Sequence, residues 1–195
     1  VPNFNALPPE INVSNIKGPG SKPILIAAAA WESLEQDLAS AAKEWGPQIA
    51  QAYEAFQGEA ANKFSEAAVR YHEWLHKHAL TAKCTAEYLI QAADAYEEAV
   101  RSMVPTAPIV KNRAAAWTMK STNLLGQFTH KIMELDDEYH EMWATNAGVM
   151  NEYQFRIFDI MRQVEETGIT PAPLVIHGSS KAFSGSHYSN IIEEL

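Results

Sequence analysis

Residues 72–76 read His-Glu-Trp-Leu-His and fit the pattern H-E-x-x-H. In zinc peptidases two histidines one helical turn apart bind the metal and the intervening glutamate activates a water. The neighbouring residues argue against that chemistry. The apolar stripe through this stretch is Ala68, Tyr71, Leu75, Ala79 and Ala82. At about 100° per residue Glu73 then points away from the core and His76 stands well off it. His76 is followed by Lys77-His78-Ala79-Leu80, so the glycine and third histidine of the metzincin continuation are missing. Adventitious metal binding by His72, His76 and His78 is the better reading, and a zinc-dependent hydrolase on this motif is the competing one.

Other arrangements that could do chemistry are weaker. Glu73-x-x-His76 and Asp137-x-x-His140 together resemble half of a carboxylate-bridged di-iron site, which needs inward-facing ligands from four helices. Gly18-Pro19-Gly20-Ser21-Lys22 lacks the Walker spacing and a preceding strand, and a turn followed by a helix cap at Ser21 accounts for it. Cys84 sits among alanines with no Cys-His or Ser-His-Asp arrangement around it, and Asp136-Asp137-Glu138 and Glu165-Glu166 read as solvated faces. No catalytic residue, metal ligand or cofactor-binding residue is assigned, and the chain reads as a non-enzyme.

The elements that must position any site follow from composition and punctuation. The chain has 195 residues, 47% of them apolar and 20% charged, enough to bury a core. Against 15 lysines and arginines stand 24 acidic residues, a net charge of -9, which argues against nucleic acid or an anionic membrane as the main partner. One cysteine allows no internal disulfide. The start, Val1-Pro2-Asn3-Phe4-Asn5, shows no Sec-type signal peptide. The longest apolar run, Ile24 to Trp31, falls far short of the roughly 20 residues that span a bilayer. The expectation is a soluble, acidic chain with an intracellular start, with export by a route other than Sec left open.

Between the proline and glycine marks the segments are rich in alanine, glutamate, glutamine, leucine and methionine, all good helix formers. Leu174-Val175-Ile176 is the one strand candidate. The periodicity predicts an all-α fold, an elongated bundle of long antiparallel helices. A short helix runs over about 8–16, with Pro8-Pro9-Glu10 in its first turn. Long helices follow over about 21–56 and 59–103, with a kink expected at Gly46-Pro47. The third helix would be roughly 65–70 Å long at 1.5 Å per residue. A short helix over about 108–121 and a long one over about 127–166 complete a single domain, 1–166. From Thr167 to Leu195 the composition shifts to glycine, proline and serine without a period, the pattern of a flexible tail.

Rod-like helices leave each face with few neighbours. Ile24, Leu25, Ala28 and Ala29 fill the first turns of the second helix almost all round, so a helical partner is expected, with a self-contained bundle as the alternative. Two corners look like binding features. Phe56-Gln57-Gly58 joins the two longest helices. At Leu124-Leu125-Gly126 two adjacent leucines cannot both face one core, so at least one is exposed at the tip unless a Schellman-type contact buries it.

The order of these motifs resembles a known family. Phe4-Asn5-Ala6-Leu7-Pro8-Pro9-Glu10-Ile11-Asn12, Gly18-Pro19-Gly20-Ser21 and the alanine run with Trp31 are similar to the start of mycobacterial PPE proteins, named for the Pro-Pro-Glu. The similarity continues through Tyr71, Trp74-Leu75, Ala95-Tyr96-Glu97, Val104-Pro105, Asn112-Arg113, Thr122 to Phe128, Glu138-Tyr139 and Met142-Trp143, about residues 1–165 in order. The chain resembles the short members, without a long repetitive C-terminal region.

The resemblance implies a heterodimer with a PE protein, whose helical hairpin completes a four-helix bundle against the second and third helices. Trp31, Leu34, Leu38, Trp45, Phe64, Tyr71 and Leu75 are then the partner-facing residues. It implies export of the folded pair by a type VII (ESX) secretion ATPase and membrane complex, from the cytoplasm to the cell surface or medium. It further implies a cytosolic EspG-type chaperone that grips the tip formed by Leu124, Leu125, Gly126, Gln127 and Phe128. The family's W-x-G turn stands here as Phe56-Gln57-Gly58, and no tyrosine is followed four residues later by an acid, the secretion signal usually carried by the PE partner.

Overall fold

The computed structural model describes residues 2–55, 57–168 and 170–173. Phe56, the strand candidate Leu174-Val175-Ile176 and most of the 167–195 tail lie outside the described residues. A 3-10 turn, Phe4–Ala6, precedes five α-helices: α1 Pro9–Ile16, α2 Lys22–Ala55, α3 Glu59–Ser102, α4 Thr106–Thr122 and α5 Thr129–Thr167. Among the described residues there is no strand, and the fold class is all-α.

Local chemistry explains where these helices start and stop. Pro9 opens α1, where its missing N–H costs nothing, and Glu10 lies at the positive end of the helix dipole. α2 carries Pro47 inside it and continues for two more turns. Gly58 has φ +100, a conformation that disfavours any side chain with a Cβ, and α3 begins at the next residue. Pro105, with extended backbone, separates α3 from α4.

Packing divides the described residues into two compact units, 2–36 with 80–168 and 37–55 with 57–79 and 170–173, and α2 and α3 contribute to both. In the first unit Phe4, Val13, Ile16, Ala99, Met103, Ile109 and Met150 form the buried core, flanked by Tyr96, Tyr139 and Tyr153. Three buried asparagines sit in or beside it. Asn12 donates to the Phe4 carbonyl at 3.1 Å, which closes the N-terminal turn over α1. Asn146 accepts from the Val104 N–H at 2.8 Å and donates to the carbonyls of Val104 and Pro9 at 3.1 and 3.2 Å. Asn112 donates to the Leu135 carbonyl at 3.0 Å and ties α4 to α5. Of the groups they bond, the Val104 N–H lies at the α3–α4 corner, where no helix carbonyl follows to receive it. The Ser21 hydroxyl, just ahead of α2, donates to the Glu97 carboxylate on α3.

Beside Asn112 an ionic cluster spans the same helix pair. Arg113 reaches Asp136 at 2.9 Å and lies 4.1 Å over the Tyr139 ring, and Lys120 reaches Asp136 at 2.9 Å. Hydrogen bonds from Lys120 and then Arg113 hold the Asp136 carboxyl below the usual aspartate range. Because the folded value is depressed, the stabilisation is present above the ordinary aspartate pKa and is lost as pH falls through the folded value. Asp136→Asn is expected to lower stability at pH 7 by no more than about 1 kcal/mol, since the group is partly exposed and screened. Urea unfolding at pH 7 and in strong acid checks this: the difference between variant and parent closes as Asp136 protonates.

The second unit packs α2 from Asp37 onward against the first half of α3. Ala42 and Ala68 are fully buried, and small residues let the helices approach closely. The Trp45 indole N–H donates to the Ala68 carbonyl at 3.1 Å, and His72 Nε2 donates to the Ala42 carbonyl at 3.0 Å. These two bonds set an antiparallel register.

Candidate functional site

The H-E-x-x-H residues are not gathered into a metal centre. His72 spends its Nε2–H on the Ala42 carbonyl, Glu73 and His76 are exposed, and the two imidazoles meet edge-on with centroids 4.5 Å apart. His78 is buried and faces Trp74 and Thr170. Among the described residues no three His, Cys, Asp or Glu side chains are placed to hold a metal ion.

Two surfaces stand out instead. The first lies along α2 and α3. In the second unit Trp45, Tyr71, Trp74 and His78 form a continuous aromatic row, with Tyr71 edge-on to Trp45 at 5.3 Å and stacked on Trp74 at 5.8 Å. Leu38, Trp45, Phe64 and Tyr71 are half-buried, whereas Leu75 is covered by its own chain. In the first unit Trp31 is half-buried and Leu34 exposed. The most exposed apolar side chains of α2 and α3 are Ile26 and Leu80, both 61% accessible, and neither belongs to the partner-facing set expected above. The signal for Ile26 is present in the sequence: three consecutive large residues, Ile24-Leu25-Ile26, cannot share one helix face. Leu80 likewise stands off the Leu75–Ala79–Ala82 stripe.

The second surface is the α4–α5 corner in the first unit. Gly126 has φ +77 and permits the reversal. Polar side chains hold the turn from inside. Asn123 Oδ1 accepts from the Phe128 N–H at 2.8 Å, and Gln127 Oε1 accepts from the Leu125 N–H at 3.0 Å. Gln127 Nε2 donates to the Thr122 carbonyl at 3.0 Å, and Asn123 Nδ2 to the Thr129 hydroxyl at 3.1 Å. None of these bonds uses a leucine side chain. Leu124 and Leu125 stand 89% and 92% exposed, the two most accessible large apolar residues of the described chain, so no capping contact buries them. The corner therefore presents two adjacent leucines to water on a turn that its own polar side chains hold.

The N-terminal Pro-Pro-Glu also has a defined place. The Pro9 carbonyl accepts from Asn146, and the Glu10 carboxylate accepts from the Tyr139 hydroxyl at 3.2 Å. Burial, and then the adjacent Glu10, push the Tyr139 phenol up. The motif therefore anchors α1 on α5. A family model described as the PPE family matches residues 3–165, a span that includes this motif and the α4–α5 corner. The chain belongs to the PPE family.

Among similar PPE proteins of Mycobacterium tuberculosis, this PPE chain is 38% identical over 154 residues to the uncharacterized PPE family protein PPE36, covering 78% of this chain and 63% of that one. With PPE41 the identity is 33% over 163 residues, covering 83% and 84%. With PPE18 it is 40% over 157 residues, covering 77% of this chain and 39% of PPE18. The PPE chain thus spans a little under two thirds of PPE36 and most of PPE41. No helix among its described residues is long and apolar enough to cross a membrane.

Proposed function

We propose that this PPE chain is a non-enzymatic subunit that pairs with a PE-family protein and is handed by an EspG-type cytosolic chaperone to a type VII (ESX) secretion system. After export the pair resides at the cell surface or in the medium. The observation that carries this reading is the pinned α4–α5 turn with Leu124 and Leu125 in solvent. A self-sufficient fold has no use for two ordered, water-exposed leucines, whereas a carrier that recognises a folded client needs such a feature. The exposed Leu25, Ile26, Leu34 and Leu80 support the helical partner, since apolar side chains on long helices are covered when a second hairpin packs on them.

Pairing is tested by co-expression with PE candidates and purification through a tag on the partner. Charged replacements at Leu34, Leu38 and Tyr71 together are expected to abolish co-purification. Tyr71 packs on Trp45 and Trp74, so that variant also strains the fold. Ile26→Glu with Leu80→Glu touches side chains already in solvent and is expected to reduce pairing at least about tenfold, with helix content unchanged. Stoichiometric co-purification of both variants would overturn this pairing surface, and failure of the parent chain to co-purify with any PE candidate would overturn the heterodimer.

A further inference from the structure

Residues 170–173 are Thr-Pro-Ala-Pro. Two prolines without N–H groups favour extended backbone and leave Thr170 and Ala172 as the segment's main-chain donors. Both polar groups of the Thr170 backbone are taken by side chains of α3. Its carbonyl accepts from the Trp74 indole N–H at 2.8 Å, and its N–H donates to His78 Nε2 at 3.0 Å. The Thr170 hydroxyl lies 3.4 Å from the same ring nitrogen. His78 Nδ1 lies 2.8 Å from the Trp74 carbonyl one turn back, and the indole stacks on the imidazole with centroids 4.3 Å apart.

These contacts determine the state of the ring. A backbone N–H can only donate, so Nε2 must present its lone pair to Thr170. A carbonyl can only accept, so Nδ1 must carry the hydrogen. Closed contact therefore requires neutral His78 in the Nδ1–H tautomer. A proton added at Nε2 would place two donors head to head, 3.0 Å apart.

We propose that residues 170–173 form a strap held on α3 by a proton-sensitive clamp of Trp74 and His78, closed when the imidazole is neutral and released when it is protonated. The clamp reads the main chain of one residue, whose hydroxyl also lies within reach of the same ring nitrogen. The groups that touch the His78 ring, Trp74 and Thr170, do not titrate near neutrality, and the strap carries no ionisable side chain. Along α3 the ionisable neighbours His76 and Lys77 are exposed. On the part of α2 that belongs to the second unit, the register set by Trp45–Ala68 and His72–Ala42 makes the exposed Asp37 the ionisable residue nearest to the level of His78. None of these is paired with the ring, so the response belongs to His78. Opening the strap frees the Trp74 end of the aromatic row.

Nuclear magnetic resonance on the isotope-labelled full chain tests this. Near pH 8 the ring nitrogens of His78 are expected to report the Nδ1–H tautomer, with the Thr170 amide protected from exchange. On acidification the ring signals and the Thr170 amide should change together. Protection, corrected for intrinsic exchange, should fall roughly three- to tenfold while α3 amides hold theirs. His78→Gln offers an acceptor that does not titrate and should keep Thr170 protected at every pH. His78→Phe keeps a ring but no acceptor and should leave Thr170 unprotected throughout. An Nε2–H tautomer near pH 8, or the same pH response in parent and His78→Gln, would overturn the clamp.

Discussion

Replacing Leu124 and Leu125 together with arginine is expected to eliminate capture by an EspG-type chaperone while the α4–α5 turn stays folded. The fold has little to lose. Both side chains are about nine-tenths exposed, and the turn is held by Asn123, Gln127, Thr122 and Thr129. The one tie made by either leucine, from the Leu125 N–H, is main-chain and survives in arginine. Surface substitutions of this kind usually change stability by within about 0.5 kcal/mol. Binding has much to lose. Burying a leucine side chain contributes roughly 1.5–3 kcal/mol, and leaving an arginine unpaired in the same pocket costs several more. Affinity should therefore fall by a factor of about a hundred or more. Calorimetric titration with the chaperone, alongside circular dichroism of the variant, checks both halves. An affinity within about threefold of the parent would remove the tip from the proposed function. Weakened binding with lost helix content would instead place these leucines in the fold.

Asn146→Ala is expected to be the most damaging single change in the core of the first unit. Its side chain is fully buried and serves three main-chain groups: the Val104 N–H, the Val104 carbonyl and the Pro9 carbonyl. Alanine leaves all three without that partner at a fully buried position. Each lost buried bond costs about 1–3 kcal/mol, and for a network the total is less than additive, about 3–4 kcal/mol. In a chain of this size that lowers the unfolding midpoint by about 8 °C or more. Asn151→Ala provides the contrast. Asn151 also donates across the fold, to Asn5 Oδ1 at 3.1 Å, but at the surface, where water replaces the bond. Its midpoint should move by about 2 °C or less. Equal shifts for the two variants would show that burial of Asn146 is not what matters.

The difference between these asparagines was not legible in the sequence. A helix periodicity marks which face an apolar residue takes, but a polar residue on that face looks like an ordinary interruption of the stripe. Asn12, Asn112 and Asn146 become informative only when the backbone group that each one satisfies is known, and those groups lie up to 137 residues away. Phe4 is similar: it stands outside any periodic segment, yet it is buried under the first core because Asn12 folds the N-terminal turn back. The H-E-x-x-H motif shows the reverse case. Its spacing was legible, and so was the outward direction of Glu73. That His72 would spend its Nε2–H on Ala42 depended on a helix 30 residues away.

The sequence by itself determined the all-α class, the helix punctuation at Pro9, Gly58, Pro105 and Gly126, the reversal at the α4–α5 corner and the resemblance to the PPE family. These depend on local properties: backbone freedom of glycine, the missing N–H of proline, and apolar spacing within one helix. The tertiary structure alone decided that both leucines of the corner stand in solvent and that His78 holds Thr170. Exposure and hydrogen-bond partnership are relations between distant segments. A side chain's neighbours are settled by which helices meet and in which register, and no local pattern carries that information.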